Sequence, residues 1–138
     1  QAKPYVIKPN KYELATYFGV SQDCSNEEMI SLAKTMLNEE CRLVVVSMGK
    51  QGSIFLSHEG IYEAEALHIQ AHSSVGAGDA MVAAIAYALE QNTPMEQLIA
   101  LAVACSAGAV MTKGTQPAEK AVVEKLMKQV TIKKLEEN

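Results

Sequence analysis

Leu43-Val44-Val45-Val46 is apolar at four consecutive positions. A strand with one wet face alternates. An uninterrupted run is the habit of a strand covered on both faces, as in parallel sheets with helices above and below. The flanking sequence supplies the other layers. Tyr5-Val6-Ile7 reads as a short strand stopped by Lys8-Pro9-Asn10, since Pro9 has no N–H for a sheet ladder, and this puts Asn10 at a strand's carboxyl end. Lys11 to Phe18 reads as a brief helix with Leu14 and Phe18 on one face and Gly19 as its stop. Ser25-Asn26-Glu27-Glu28 is a capping-box pattern, and Met29, Ile30, Ala33, Met36 and Leu37 recur at helical spacing to about Glu40.

After the buried run, Ser53–Leu56, Gly60–Ala64 and Leu67–Gln70 read as short strands with polar or glycine-containing turns, so the sheet is expected to be locally antiparallel there. Gly78–Leu89 is an Ala-rich helix with Met81, Ala84, Ile85, Ala88 and Leu89 on its apolar side. Thr93-Pro94-Met95-Glu96 starts another helix, through Leu98, Leu101, Ala102 and Cys105 toward Met111, with Gly114 as its stop. Pro117 opens a last helix with Val122, Val123, Leu126 and Met127 inward, and Val130-Thr131-Ile132 forms a terminal strand. The expected class is α/β, with a mainly parallel central sheet and helices on both faces. At 138 residues one domain is expected.

Composition excludes several functions. Apolar runs are short and broken, so no membrane span is expected. Twelve basic against sixteen acidic side chains, without a basic stripe mixed with aromatics, argue against nucleic acid. Cys24, Cys41 and Cys105 are odd in number and never in CxxC, which argues against a disulfide framework or zinc and for the cytosol. His58, His68 and His72 lack ligand spacing. Cys105, within an Ala-rich helix, is expected to be a buried, inert thiol. No export signal opens the chain, nor does an initiator Met, and the chain is read as a piece of a longer one.

Chemistry concentrates in Val75-Gly76-Ala77-Gly78-Asp79. The glycines allow a sharp turn, and successive N–H groups at a helix start converge on one anion with the helix dipole behind them. Asp79, at the same helix start, can accept a proton from a hydroxyl while the N–H groups of Gly76, Ala77 and Gly78 hold the charge of a moving phosphoryl. An Asp that merely caps the helix after a glycine turn is the competing reading. Asn10 and Glu13 can share one side of a helical turn near hydrated magnesium and phosphates, or can be an N-cap and its capping-box partner. Ser47-Met48-Gly49-Lys50-Gln51-Gly52 follows the buried strand, where α/β sheets gather ligands, so a nucleotide can lie across Ser47, Gly49, Lys50 and Gly52. An ordinary hairpin connection with positive φ at Gly49 and Gly52 is the alternative. The glycines match neither GxxxxGK[ST] nor GxGxxG, which excludes standard Walker and dinucleotide loops.

The order of these pieces is more specific than any one of them: KPNxxEL, the buried strand into SMGxxG, SVGAGDAMVAA, then AxxAGAxxTxGT. This order resembles the PfkB sugar-kinase family, with its ribokinase-like three-layer sandwich, over nearly the whole chain. The resemblance implies that Asp79 is the catalytic base and Gly76, Ala77 and Gly78 its anion hole. It also implies that Asn10 and Glu13 lie near magnesium and phosphate, and that Ser47 to Gly52, with Gly78, bind ATP. Ala104 to Thr115 then looks like the wall of the adenine pocket. The KPN, the Ser-Met-Gly loop and the Met after GAGDA are most similar to the branch of 1-phosphofructokinase and tagatose-6-phosphate kinase. Ser74 departs from the usual Thr, and Ala83-Ala84 from a common Ala-Gly; neither removes a reacting group.

Members of that family are about twice as long, within the size of one α/β domain. The resemblance therefore implies that residues 1–138 are the C-terminal half of one kinase domain. Such a half would use Mg2+ with ATP and a sugar phosphate, and would pair with the absent half or with copies of itself. Alone it is expected to have little or no activity.

Overall fold

The computed structural model describes residues 6–67, 77–111 and 120–137. These form two compact units, one running to Ala64 and taking up the chain again at Lys133, the other spanning Glu65–Ile132.

The first unit is a sheet with two helices. Strand β1 (Val6–Ile7) runs parallel to β2 (Leu43–Ser47), with Val6 beside Leu43 and Ile7 beside Val44. Strands β3 (Ser53–Ser57) and β4 (Gly60–Ala64) follow as an antiparallel meander in which Phe55 faces Val45 on one side and Tyr62 on the other. Strand β5 (Ile132–Glu137) completes the order β1-β2-β3-β4-β5. The sheet is thus mixed: β1–β2 is parallel, while β2–β3 and β3–β4 are antiparallel. All of Leu43, Val44, Val45 and Val46 are inaccessible to solvent, as a strand covered on both faces requires.

Helix α1 (Lys11–Phe18) begins at Asn10 and ends at Gly19, whose left-handed φ of 69° lets its N–H reach back to Ala15 and Thr16. Helix α2 (Asn26–Lys34) is capped by Ser25, whose hydroxyl accepts the Glu28 N–H. It stops well before Glu40. Met36 and Leu37 are held by tight bonds to the carbonyls of Ala33 and Lys34, and Asn38 then turns the chain by accepting the N–H groups of Glu40 and Cys41. The apolar spacing continued because Met36 and Leu37 still pack on the core, although the helical ladder does not. That core interleaves Leu14, Met29 and Ala33 from the helices with Val44, Val46, Ile54, Leu56 and Ile61 from the sheet.

The second unit is helical. Helices α3 (Ala77–Glu90) and α4 (Met95–Met111) pack along each other, and α5 (Lys120–Met127) packs on α4. Between α3 and α4, Asn92 takes a left-handed φ of 55°, while Thr93 and Asn92 donate to the carbonyls of Ala88 and Leu89. This is a helix stop in which Asn substitutes for Gly. Leu126 is buried against Ala104 and Ala107, with Leu67, Met111, Val122, Val123 and Met127 around them.

The last strand starts later than Val130. Val130 and Gln129 are bound to the end of α5 by hydrogen bonds to Met127 and Leu126, and the Thr131 carbonyl accepts the Glu65 N–H at 3.0 Å. Strand geometry therefore starts at Ile132. In the Leu67–Gln70 segment, Leu67 is not in a strand, and residues 68–70 lie outside the described residues, as do Gly114 and Pro117.

Candidate functional site

Two parallel strands end side by side at Asn10 and Ser47. The two residues form a parallel bridge beyond β1, and the Ser47 N–H donates to the Pro9 carbonyl at 3.0 Å. The carboxyl ends of adjacent strands are where an open α/β sheet presents its ligand crevice. Helix α1 leaves from this point, so the fold brings Asn10, Glu13 and the Ser47–Gly52 loop to one end of the sheet.

Asn10 and Glu13 form a complete capping box. Asn10 Oδ1 accepts the Glu13 N–H at 2.7 Å, and Glu13 Oε1 accepts the Asn10 N–H at 2.9 Å. Both residues are exposed. The capping reading of this pair is therefore realised. It engages one oxygen of each side chain, and a carboxylate has capacity for several hydrogen bonds.

In the loop after β2, residues Gly49–Gln51 make a tight 3₁₀ turn. The Met48 N–H donates to Gly52 O at 2.8 Å, Gln51 N–H to Met48 O at 3.1 Å, and Gly52 N–H to Gly49 O at 3.0 Å. Both glycines have the expected positive φ, 60° at Gly49 and 93° at Gly52. Since the N–H groups of Ser47, Met48, Gln51 and Gly52 are engaged internally, a nucleotide here would be met by side chains, by carbonyls and by the Gly49–Lys50 backbone.

The second group of candidate residues lies in the helical unit. Gly76 lies outside the described residues, as do Ser74 and Val75. Ala77, Gly78 and Asp79 are the first three residues of α3, so their N–H groups belong to the turn that has no intrahelical acceptors. Gly78 and Asp79 are exposed. Asp79 sits two positions inside the helix, so it is a first-turn acid, not the N-cap. The helix dipole favours a negative charge at that place. In the expected adenine wall, Ala104, Ala107, Gly108 and Ala109 are buried in α4, Cys105 and Ser106 are half-buried, and residues 112–115 lie outside the described residues.

Sequence reasoning missed two local features here. Asn38 organises the approach to β2, and His58 Nε2 lies 2.9 Å from its carbonyl oxygen, tying the β3–β4 turn to that approach. The spacing of the histidines gave no sign of this, because the contact depends on sheet register. His68 and His72 lie outside the described residues. The three cysteines are free thiols. Cys105 is half-buried where full burial was expected, yet its pKa is raised by desolvation, in keeping with low reactivity. Among the described residues, no helix is long and apolar enough to cross a membrane.

Residues 1–121 match the model of the pfkB family carbohydrate kinases. A 1-phosphofructokinase of Haemophilus influenzae is 34% identical over 137 residues, covering 99% of this chain and 44% of that protein. A D-tagatose-1-phosphate kinase of Bacillus licheniformis is 32% identical over 111 residues, covering 80% of this chain and 36% of that protein. The solved structure of Arabidopsis thaliana ribokinase, complexed with ribose and ATP, superposes with a TM-score of 0.77 at 24% identity, over 92% of this chain and 42% of the ribokinase. The chain thus spans less than half the length of these relatives, and its fold is the corresponding part of a ribokinase-like sandwich. The strand-end corner, the glycine loop and the first-turn aspartate stand in a chain that belongs to the pfkB family of carbohydrate kinases.

Proposed function

We propose that this chain is the nucleotide and catalytic portion of one ribokinase-like domain. Completed by its substrate-holding portion, it transfers the γ-phosphoryl of ATP to a hydroxyl of a sugar phosphate in the cytosol. Asp79 is the base that takes the hydroxyl proton, and the N–H groups of Gly76, Ala77 and Gly78 hold the negative charge of the phosphoryl in flight. Ser47, Gly49, Lys50 and Gly52 contact the nucleotide, together with Gly78. The observation that carries this reading is the position of Asp79, an exposed acid in the first turn of α3, directly after two N–H groups that lack helical acceptors.

Fructose 1-phosphate is the acceptor favoured by the relatives, which are named for a phosphofructokinase and for a kinase of tagatose 1-phosphate. Tagatose 6-phosphate, the other acceptor expected from the sequence, has no such support from these two names. Magnesium fits the chemistry of the Asn10–Glu13 corner. Glu13 commits Oε1 to the Asn10 N–H, and its carboxylate keeps capacity to accept hydrogen bonds from the water molecules of a hydrated Mg2+. Bound there, the ion would neutralise phosphate charge.

In the complete polypeptide, Asp79→Asn is expected to lower turnover by about 10²–10⁴-fold, the scale of a lost general base, with Mg-ATP affinity within several-fold of the parent. Unchanged turnover would refute the role of Asp79. A second reading is a nucleotide-binding or assembly module that keeps the loop and the first-turn N–H groups of α3 but performs no chemistry. Calorimetry of this chain with Mg-ATP separates the two, since binding without turnover, even after the remaining portion is supplied, supports the module.

A further inference from the structure

Strand β3 has a buried serine at each end, and the two hydroxyls are held differently. Ser53 is 6% and Ser57 3% exposed, and they share one face of the strand with Phe55 between them. Ser57 is satisfied within its own turn: its hydroxyl donates to the Gly60 carbonyl at 3.1 Å and accepts the Glu59 N–H at 3.2 Å. Ser53 stands at the other end, opposite Ser47 on one side and Ala64 on the other. Neither the Ser53 nor the Ser47 hydroxyl makes a hydrogen bond among the described residues. The Ser53 hydroxyl is not sealed in either, since no described buried side-chain oxygen or nitrogen is both enclosed and unpartnered. Directly opposed residues of an antiparallel pair place their side chains on the same face, with Cβ atoms about 4.5–5.5 Å apart. Two unbonded hydroxyls therefore stand side by side at the carboxyl end of β2. Burying a hydroxyl without a partner costs stability, and alanine at position 53 would avoid that cost. The other neighbours of Ser53 on this face, Phe55 and Ala64, are apolar and inaccessible to solvent.

We infer that Ser53 is a nucleotide contact: its hydroxyl and that of Ser47 donate to the oxygens of one phosphate group of ATP, at the base of the loop between them. The inference rests on the functional reading above for the nucleotide, and it adds a residue outside the Ser47–Gly52 loop that the sequence reading did not nominate. The two serines bracket the loop, and the hydrogen bond from the Met48 N–H to the Gly52 carbonyl closes it one residue beyond each of them. A group lying across the loop therefore meets both hydroxyls together with the Gly49–Lys50 backbone. This donor set suits an anion, because bonds to a charged acceptor are stronger than bonds to a neutral one. The local charge agrees: from Cys41 to His58 the sequence holds Arg42 and Lys50 and no Asp or Glu.

The test makes Ser53→Ala and Ser57→Ala in the complete polypeptide and measures Mg-ATP affinity by calorimetry, urea denaturation without ligand, and KM for ATP and for fructose 1-phosphate. Ser53→Ala is expected to weaken Mg-ATP binding about tenfold, the scale of one hydrogen bond to a charged group, and to raise KM for ATP with it. Its urea midpoint should stay at or above that of the parent, because no bond within the protein is lost. Ser57→Ala should do the reverse, lowering the midpoint and leaving Mg-ATP affinity within about twofold. Unchanged Mg-ATP affinity of Ser53→Ala, a midpoint that falls as far as that of Ser57→Ala, or a parent that does not bind Mg-ATP overturns the inference. A raised KM for fructose 1-phosphate with unchanged affinity for Mg-ATP overturns it in favour of the acceptor's phosphate. If the parent binds Mg-ATP but phosphorylates no sugar phosphate, and Ser53→Ala still weakens that binding, the contact stands and the kinase reading fails.

Discussion

Asn10 and Glu13 exchange hydrogen bonds in both directions, each side chain accepting the other's backbone N–H, at 2.7 and 2.9 Å. A structural role and a proposed metal role thus fall on the same pair of side chains. Substitution can separate them. Asn10→Ala removes the cap and is expected to cost about 1 kcal/mol in urea denaturation. Glu13→Gln preserves an acceptor for the Asn10 N–H, so the denaturation midpoint should stay close to that of the parent chain. If Glu13 also holds metal-bound water, the same variant weakens Mg-ATP binding in calorimetry. Parent-like Mg-ATP affinity would leave it a cap only.

The two glycines of the loop after β2 should respond differently. Gly49 has a φ of 60° and open space where a Cβ would stand, so Gly49→Ala carries only the left-handed backbone cost, about 1 kcal/mol. Gly52, at φ 93° and ψ −146°, lies near a region that only glycine visits, and its substitution should destabilise by more than that. Denaturation of the two Ala variants side by side gives the ordering; equal losses would contradict it.

Leu14 is 1% exposed and joins α1 to the apolar face of the sheet, within the cluster of Met29, Val44 and Ile54. Leu14→Ala is expected to destabilise by roughly 2–5 kcal/mol, the range for a leucine lost from a packed core. Tyr17→Ala, three positions on and 74% exposed, should shift the same urea midpoint far less.

Burial raises the pKa of Cys41, partly offset by backbone hydrogen bonding at Leu43 and Ile7, and burial likewise raises that of Cys105. A thiol whose folded pKa lies above its unfolded value binds its proton more tightly in the native state. Its contribution is full below the unfolded value and is lost as pH rises from there through the folded one. Stability should therefore decline in the alkaline range, and less steeply in Cys41→Ala after correction for its neutral-pH stability. At neutral pH, alkylation of both thiols in the folded chain should be slower than in urea.

Local chemistry made much of this fold legible. The bounds of α1 follow from Asn10 and Gly19, caps whose effect is confined to a few neighbouring residues, and the burial of Leu43–Val46 follows from an apolar run without alternation. The end of α2 did not follow, because apolar spacing reports which side chains reach the core. Met36 and Leu37 reach it from a turn. The start of β5 was misplaced for a related reason: Val130 suits a strand, but its N–H is engaged by the carboxyl end of α5. In the candidate site, the capping box and both positive-φ glycines were readable. The meeting of Asn10 with Ser47 depends on which strands pair. That is not written in any short stretch of sequence.

The hydrogen bond from Glu65 to Thr131 joins the two ends of the helical segment that separates β4 from β5. In polymer terms that segment is a closed loop between neighbouring strands. Lengthening such a loop costs little, about 0.6 kcal/mol for each doubling. Insertions and deletions among α3, α4 and α5 therefore barely tax the sheet. The helical segment can evolve in size and surface while the strands that carry Asn10 and Ser47 keep their register.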